Sequence, residues 1–194
     1  MNSKAITFIA MMSTLGNVLF LVSFYAGKLA PGVAIDFSLV GVFIAGLYGG
    51  PLVGLITGLF AGIFPGIFFG PMGSGSWVGL IGLPIGKALT GLMAGLLYKS
   101  LNMNQKTRQS VLVIPLVIAS YIPECLFTVF YFVGLLPWLI GGGGASILIF
   151  VLPKAFAEVV VMSFLMAALI GNQGFSNFVS NFVAQAKKAE ATKN

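Results

Sequence analysis

The chain has 194 residues, of which 58% are hydrophobic and 7% are charged, and its formal net charge is +6 at pH 7. A soluble domain carries about 25% charged residues, so this composition excludes a water-soluble globular protein. The apolar stretches are continuous rather than alternating, which favours membrane-spanning α-helices over barrel strands. The sequence therefore predicts an all-α integral membrane protein.

Six membrane-spanning helices are predicted, because a helix needs about 20 residues to cross the hydrocarbon layer. The predicted spans are residues 5–26, 37–50, 51–70, 78–98, 110–134 and 146–171. The second and third are separated at Gly49-Gly50-Pro51, where a proline would break a single longer helix. The first apolar stretch is longer than the core of a signal peptide and no cleavage site follows it, so we expect a retained span. Residues 1–171 are thus predicted to form one transmembrane domain.

The positions of the basic residues give the orientation. Only Lys28 lies on one side of the predicted bundle. The other side carries Lys4, Lys99, Lys106, Arg108, Lys187, Lys188 and Lys193. Basic residues are enriched in cytoplasmic loops, so we expect both termini in the cytoplasm and the loops 27–36, 70–77 and 135–145 outside.

Two of the predicted outer loops combine glycines with a tryptophan, Trp77 in one and Trp138 in the other. One explanation is that both side chains sit at the membrane–water interface and the glycines serve as linkers. The other is that the loops are mobile lids with stacking side chains above a cavity.

The segment 172–194 is predicted to be a separate amphipathic and basic cytoplasmic tail. One helical face carries Phe175, Phe178, Val179, Phe182 and Val183. Such a helix lies on the inner membrane surface or packs against the end of the bundle. The residues from Lys187 onward are expected to be disordered.

Small residues are dense in the second to fourth spans, at spacings of three or four residues. Gly54, Gly58 and Gly62 are examples. This spacing is typical of helices that approach each other closely, so we interpret it as a packing feature.

Four charged residues fall inside predicted spans: Lys87, Glu124, Lys154 and Glu158. Each costs about 2.5–3.5 kcal/mol at a helix centre, so we expect them to face inward and to pair. Lys154 and Glu158 lie one helical turn apart. Two positive and two negative charges could neutralise each other.

Polar and aromatic side chains extend this cluster. Tyr121, Thr128 and Tyr131 share one face of the fifth span with Glu124. The structural interpretation is a buried ion-pair network that fixes helix register. Because buried pairs rarely add net stability over apolar packing, the favoured interpretation is a site for a polar, zwitterionic or heteroaromatic solute, on which Tyr121, Tyr131, Trp77 and Trp138 could stack. A carboxylate that relays protons is a third interpretation.

Other functional classes fit poorly. The chain has no histidine, and its only cysteine is Cys125, so an imidazole base, an intrachain disulfide and a cysteine-built metal site are excluded. No HExxH, P-loop or Rossmann pattern is present, and no basic patch is interleaved with aromatic residues. We therefore predict no enzymatic activity, no cofactor, no metal and no nucleic-acid partner.

Taken together, the pattern resembles the substrate-binding S-components of energy-coupling-factor (ECF) vitamin transporters, and in particular the riboflavin type. Two stretches carry the resemblance. They are Asp36-Phe37-Ser38 through Gly49-Gly50-Pro51-Leu52-Val53-Gly54, and Leu152-Pro153-Lys154-Ala155-Phe156-Ala157-Glu158. Where the riboflavin type has a lysine on the last helix, this chain has Glu158, which argues against riboflavin itself.

The resemblance implies a location, partners and a docking surface. It implies a prokaryotic plasma membrane, a vitamin or related metabolite as solute, and association with a transmembrane coupling subunit and two ATPase subunits. Members of the family dock through an Ala-x-x-x-Ala face on the first helix, which here corresponds to Ala10 and Thr14. The alternatives are a standalone transporter or channel, in which the Lys/Glu cluster forms an ion or proton path, and a structural membrane subunit without a solute.

Overall fold

The apolar stretches of the sequence form helices in the computed structural model, which describes residues 3–30, 33–73, 76–105, 108–141 and 145–191. The helices in chain order are α1 (Ser3–Ala26), α2 (Leu39–Ile44), α3 (Pro51–Ala61), α4 (Ile63–Phe69), α5 (Ser76–Ser100), α6 (Gln109–Ser120), α7 (Ile122–Phe130), α8 (Leu136–Ile140), α9 (Ala145–Gly171) and α10 (Gln173–Ala191). A π-helical turn, Ala45–Gly49, prolongs α2, and a second, Tyr131–Leu135, joins α7 to α8. A 3₁₀ turn, Met103–Gln105, follows α5.

Five helical stretches of the described chain are long and apolar enough to cross a membrane. They are Ser3–Ala26, Pro51–Phe69, Trp77–Ser100, Gln109–Leu139 and Leu148–Gly171. A sixth apolar helix, Leu39–Gly49, is shorter. The prediction of an all-α membrane protein is confirmed, and the six helices coincide with the six predicted spans. The loop before α2 adds a short antiparallel pair of β-strands, Lys28–Ala30 with Val33–Ala34.

Glycine and proline determine where the second span ends. Gly50 has a φ of +97°, a conformation that favours glycine, and Pro51 is the first residue of α3. Proline is well suited to this position because the first turn of a helix has no partner for its N–H group. The predicted turn between the second and third spans is thereby confirmed.

The fifth span is not the single regular helix that the sequence predicts. The helix is interrupted at Tyr121, whose N–H donates to the carbonyl of Ile118, and Pro123 stands in the first turn of α7. Proline cannot supply an N–H group for an internal hydrogen bond, so the chain begins a new helix here. The break places Glu124 in the first turn of α7.

Helices α3 and α5 pack closely along a row of glycines. A Cβ atom at Gly54 would lie 2.3 Å from the carbonyl oxygen of Gly91, and one at Gly58 would lie 2.4 Å from that of Lys87. No larger side chain fits between backbones at this distance. The interpretation of the small residues as packing residues therefore holds for this pair, and the packing fixes the backbone position of Lys87.

Helix α10 packs against one end of the bundle. Tyr48 and Ser176 are hydrogen bonded through their hydroxyl oxygens at 2.7 Å, the rings of Phe8 and Phe182 lie 6.0 Å apart, and Val179 is buried. These contacts favour the packed arrangement over a helix that touches only the lipid surface. They also bring α10 to the same end of the bundle as the first turns of α1.

The tail differs from its prediction in one respect. The chain stays helical through Ala191, so the expectation of disorder from Lys187 onward is wrong for residues 187–191. Lys106, Lys193 and the glycines at 142–144, which entered the predictions of topology and of a flexible loop, lie outside the described residues. The cytoplasmic location of both termini stays a prediction from the distribution of charge.

Candidate solute-binding site

A cavity of about 150 Å³ lies between α5, α7 and α9, beside the segment that leads into α2. Seven of the nine predicted solute-binding residues line it. They are Lys87, Tyr121, Glu124, Thr128, Tyr131, Lys154 and Glu158. The structure thus brings together the intramembrane charges and the polar face of the fifth span around one hollow.

The two predicted tryptophans are placed elsewhere. Neither Trp77 nor Trp138 is among the residues that line the cavity, and their residues are 73% and 81% exposed. The reason lies in their position near the ends of the spans, where an indole ring faces out of the bundle. Their location fits the interface explanation better than stacking above the cavity.

Asp36 was not among the predicted site residues, yet it belongs to the cavity wall. Its Oδ2 atom lies 2.7 Å from Nζ of Lys87, and both residues are buried. Its backbone N–H donates to Oε1 of Glu158 over 2.7 Å. Asp36 therefore joins the loop before α2 to both α5 and α9.

Local hydrogen bonds hold Asp36 in this position. Oδ1 of Asp36 accepts the N–H of Ser38, and Oγ of Ser23 accepts the N–H of Phe37. Burial disfavours the charged form of Asp36, but attraction to Lys87 and Lys154 outweighs it and lowers the pKa of the carboxyl below its ordinary value. The charged form of Asp36 is thus favoured in the site.

The second ion pair of the cavity lies within α9. Nζ of Lys154 is 3.2 Å from Oε1 of Glu158, as their spacing of one turn predicts. The same ammonium lies 5.7 Å from the ring centroid of Phe69, a distance at which the face of the ring attracts a cation.

Glu124 has a different environment from the other two carboxylates. Its Oε2 atom accepts a hydrogen bond from the hydroxyl of Thr90, and among the described residues no ammonium lies within 4.0 Å of it. A glycine, Gly86, gives it room, because a Cβ atom there would lie 3.2 Å from Cγ of Glu124. Glu124 is 8% exposed and lines the cavity.

The two positive and two negative charges of the predicted site are joined by Asp36, which adds a third carboxyl group to the wall. Three carboxylates and two ammonium groups now face the cavity. The signal that could have revealed Asp36 was its position. It is the only aspartate of the chain and directly precedes an apolar helix, with Ser38 two residues later to complete a local turn.

Aromatic rings form much of the remaining wall. Tyr131 fits against α5 because Gly82 has no side chain, and a Cβ atom there would lie 2.6 Å from Cε2 of the ring. Phe69, Phe127 and Phe132 also line the cavity. Sequence reasoning missed these three, since a phenylalanine in a span looks the same whether it faces lipid or a cavity.

The arrangement suits binding rather than bond-breaking chemistry. It offers fixed carboxylate acceptors and ammonium donors beside flat apolar rings, which is typical of pockets that orient a small polar molecule. The predicted docking residues, Ala10 and Thr14, lie away from the cavity, on an exposed face of α1.

Comparison with protein families shows which of them the chain matches. The family model for the ECF transporter substrate-specific component matches residues 4–170, which include every described wall residue of the cavity. No curated protein and no solved structure gives a significant match to the chain.

Proposed function

This chain belongs to the family of ECF transporter substrate-specific components, and we propose that the cavity between α5, α7 and α9 holds its substrate. A member of this family is a multi-pass membrane protein that binds a substrate for an ECF importer and is not an enzyme. Membership implies two kinds of partner, a substrate and an ECF module.

The clustering of charge around a hollow is the observation that carries the proposal. Five acidic or basic side chains line one cavity inside the bundle, although a charged side chain inside a span costs about 2.5–3.5 kcal/mol. A network that served stability alone would gain more from apolar packing. In a cavity whose walls carry polar groups and aromatic rings, these charged side chains can form hydrogen bonds and ion pairs with a bound solute, which would explain why they are present.

We propose a small polar solute with a ring, of the size of a vitamin fragment or a related metabolite. A cavity of about 150 Å³ is the size that accommodates a single-ring molecule. The riboflavin-type resemblance extends over the segment that begins at Asp36. Glu158 stands where that type has a lysine, and here it is paired with Lys154, which supports a solute other than riboflavin.

We further propose that the ECF module consists of a transmembrane coupling subunit and two ATPases, and that it docks on α1. Ala10 and Thr14 lie one turn apart on an exposed face of this helix. Small side chains let a partner helix approach closely. Because this face and the cavity are separate, binding of the solute and docking of the module can be disrupted independently.

The proposal is tested by identifying the small molecules that remain bound to the chain after gentle purification into lipid nanodiscs. Two variants of α9 form a matched pair. Ala155→Phe places a ring in the cavity wall, whereas Ala157→Phe places the same ring on an exposed face of the same helix. Mass spectrometry should detect a solute released from the wild type and from Ala157→Phe but not from Ala155→Phe. Equal recovery from both variants would refute the location.

A further inference from the structure

The three carboxylates of the cavity are not equivalent. Asp36 is paired with Lys87 at 2.7 Å, and Glu158 is paired with Lys154 at 3.2 Å. Both ammonium groups of the cavity are therefore engaged by a carboxylate. Among the described residues no ammonium lies within 4.0 Å of Glu124, so the wall has one more carboxyl group than it has amino groups.

The hydrogen bonds of Glu124 lead to the same conclusion. Thr90 donates to Oε2, and the described part of the chain supplies no donor to Oε1. The residue is more than nine-tenths buried and lines the cavity. Oε1 is not among the fully enclosed side-chain atoms of the described residues that lack a partner, so it can accept a hydrogen bond from a molecule that enters the cavity.

The surroundings of Glu124 define the shape of that guest. Tyr121, Phe127 and Tyr131 line the cavity together with it. The volume of about 150 Å³ allows one ring and a short polar substituent. Aromatic faces attract cations as well as rings, so these walls add to the preference that the unpaired carboxylate creates.

We propose that the substrate is a single-ring molecule with a cationic nitrogen group, such as an amidinium, an aminium or a protonated ring nitrogen, which donates to Glu124. This inference rests on the proposed function, since it assumes that the cavity is the substrate site. A cationic guest completes a third ion pair with Glu124, whereas an anionic ring compound would place a second acidic group beside Glu124 without a counter-ion.

The test uses three ring compounds of the same size and planar shape that differ in charge. They are benzamidinium, benzamide and benzoate, titrated into the wild-type chain in nanodiscs. A charge-assisted bond to a carboxylate is about twice as strong as a neutral one, so benzamidinium should bind at least about tenfold more tightly than benzamide, and benzoate should bind most weakly. Tightest binding by benzoate, or equal binding by all three, would overturn the inference.

A variant of Glu124 tests whether this residue causes the tighter binding of benzamidinium. Glu124→Gln keeps an acceptor for Thr90 but removes the charge, so the ratio of the benzamidinium affinity to the benzamide affinity should fall to about one. A melting temperature like that of the wild type shows that the variant is folded, and Glu190→Gln makes the same chemical change in α10 as a control that should keep the wild-type ratio. A preference that survives in Glu124→Gln would contradict the assignment.

The experiments distinguish an error in the location of the substrate site from an error in the charge of the substrate. If Ala155→Phe loses the bound solute but benzoate binds best, the cavity is the substrate site and the charge assignment is wrong. If Ala155→Phe retains the solute and no probe displaces it, the cavity itself is not the site and the proposed function fails.

Discussion

Oδ2 of Asp36 lies 2.7 Å from Nζ of Lys87, which links the loop before α2 to the middle of α5. Both groups are buried, and the same aspartate also bonds to Glu158 of α9 through its backbone. A single residue outside the spans thus connects two walls of the cavity. Because Asp36 belongs to the loop before α2, the geometry of the site depends on the conformation of that loop.

Removal of one partner from this pair should destabilise the protein strongly. Asp36→Asn leaves the Lys87 ammonium buried without a counter-ion, which typically costs about 3–5 kcal/mol. We expect a large decrease in the melting temperature of the purified protein, measured in nanodiscs. Lys87→Met should have a similar effect, since it leaves Asp36 buried and unpaired.

The double variant measures how much of the destabilisation comes from the interaction between Asp36 and Lys87 and how much from the loss of each side chain by itself. With both charges gone no buried ion remains, so Asp36→Asn combined with Lys87→Met should be destabilised by less than the sum of the single variants. If the decrease in stability of the double variant equalled the sum of the decreases in the two single variants, the two groups would not interact in the folded protein.

The glycine contact between α3 and α5 gives a second prediction. Gly58→Ala would place a Cβ atom 2.4 Å from the carbonyl oxygen of Lys87, so the helices must separate, at a cost of about 1–3 kcal/mol. The shift moves Lys87, and we expect weaker retention of the solute together with a lower melting temperature.

Gly134→Ala is the matched control. The nearest atoms to a Cβ there belong to the ring of Phe130, at 3.5 Å, which is ordinary contact. We expect it to melt like the wild type and to keep its solute. If both glycine variants behaved alike, close approach of α3 and α5 would not be the reason for the glycines.

Two adjacent residues of α10 test how the tail is attached. Val179 is buried and Phe178 is 69% exposed. Val179→Ala removes buried apolar surface worth about 1.5–3 kcal/mol for a whole side chain, so the amides of α10 should exchange hydrogen faster. Phe178→Ala should leave the exchange rates unchanged. If the α10 amides exchanged faster in Phe178→Ala but not in Val179→Ala, the face of α10 that carries Phe178 would be the one that packs on the bundle.

The exposed face of α1 can be tested through complex formation. Thr14→Trp places a large ring on the proposed docking face, so less ECF module should co-purify with the chain, while the amount of bound solute stays the same. Phe156→Trp alters an exposed residue of α9 instead and serves as the control. Normal recovery of the module with Thr14→Trp would place the docking surface elsewhere.

Much of this architecture could be predicted from the sequence because the membrane imposes simple rules. Helix lengths, the turn at Gly50 and the inward position of the intramembrane charges follow from hydropathy, backbone geometry and the cost of burying charge. The pairing of Lys154 with Glu158 follows from their spacing of one turn.

The rest depends on contacts between distant parts of the chain. Asp36 is 51 residues from Lys87, and no local pattern specifies that they meet. The role of Phe69 in the cavity wall likewise depends on tertiary packing. For Trp77 and Trp138, the sequence left two explanations open, and only the direction of the side chains distinguishes the interface from the cavity.

The most direct measurement is an experimental structure of the chain with its co-purified solute in nanodiscs. We predict density for a single-ring molecule between α5, α7 and α9, with a nitrogen about 3 Å from a carboxylate oxygen of Glu124. Solute density outside this cavity, for example against Trp77 or Trp138, with Glu124 unbonded, would contradict it.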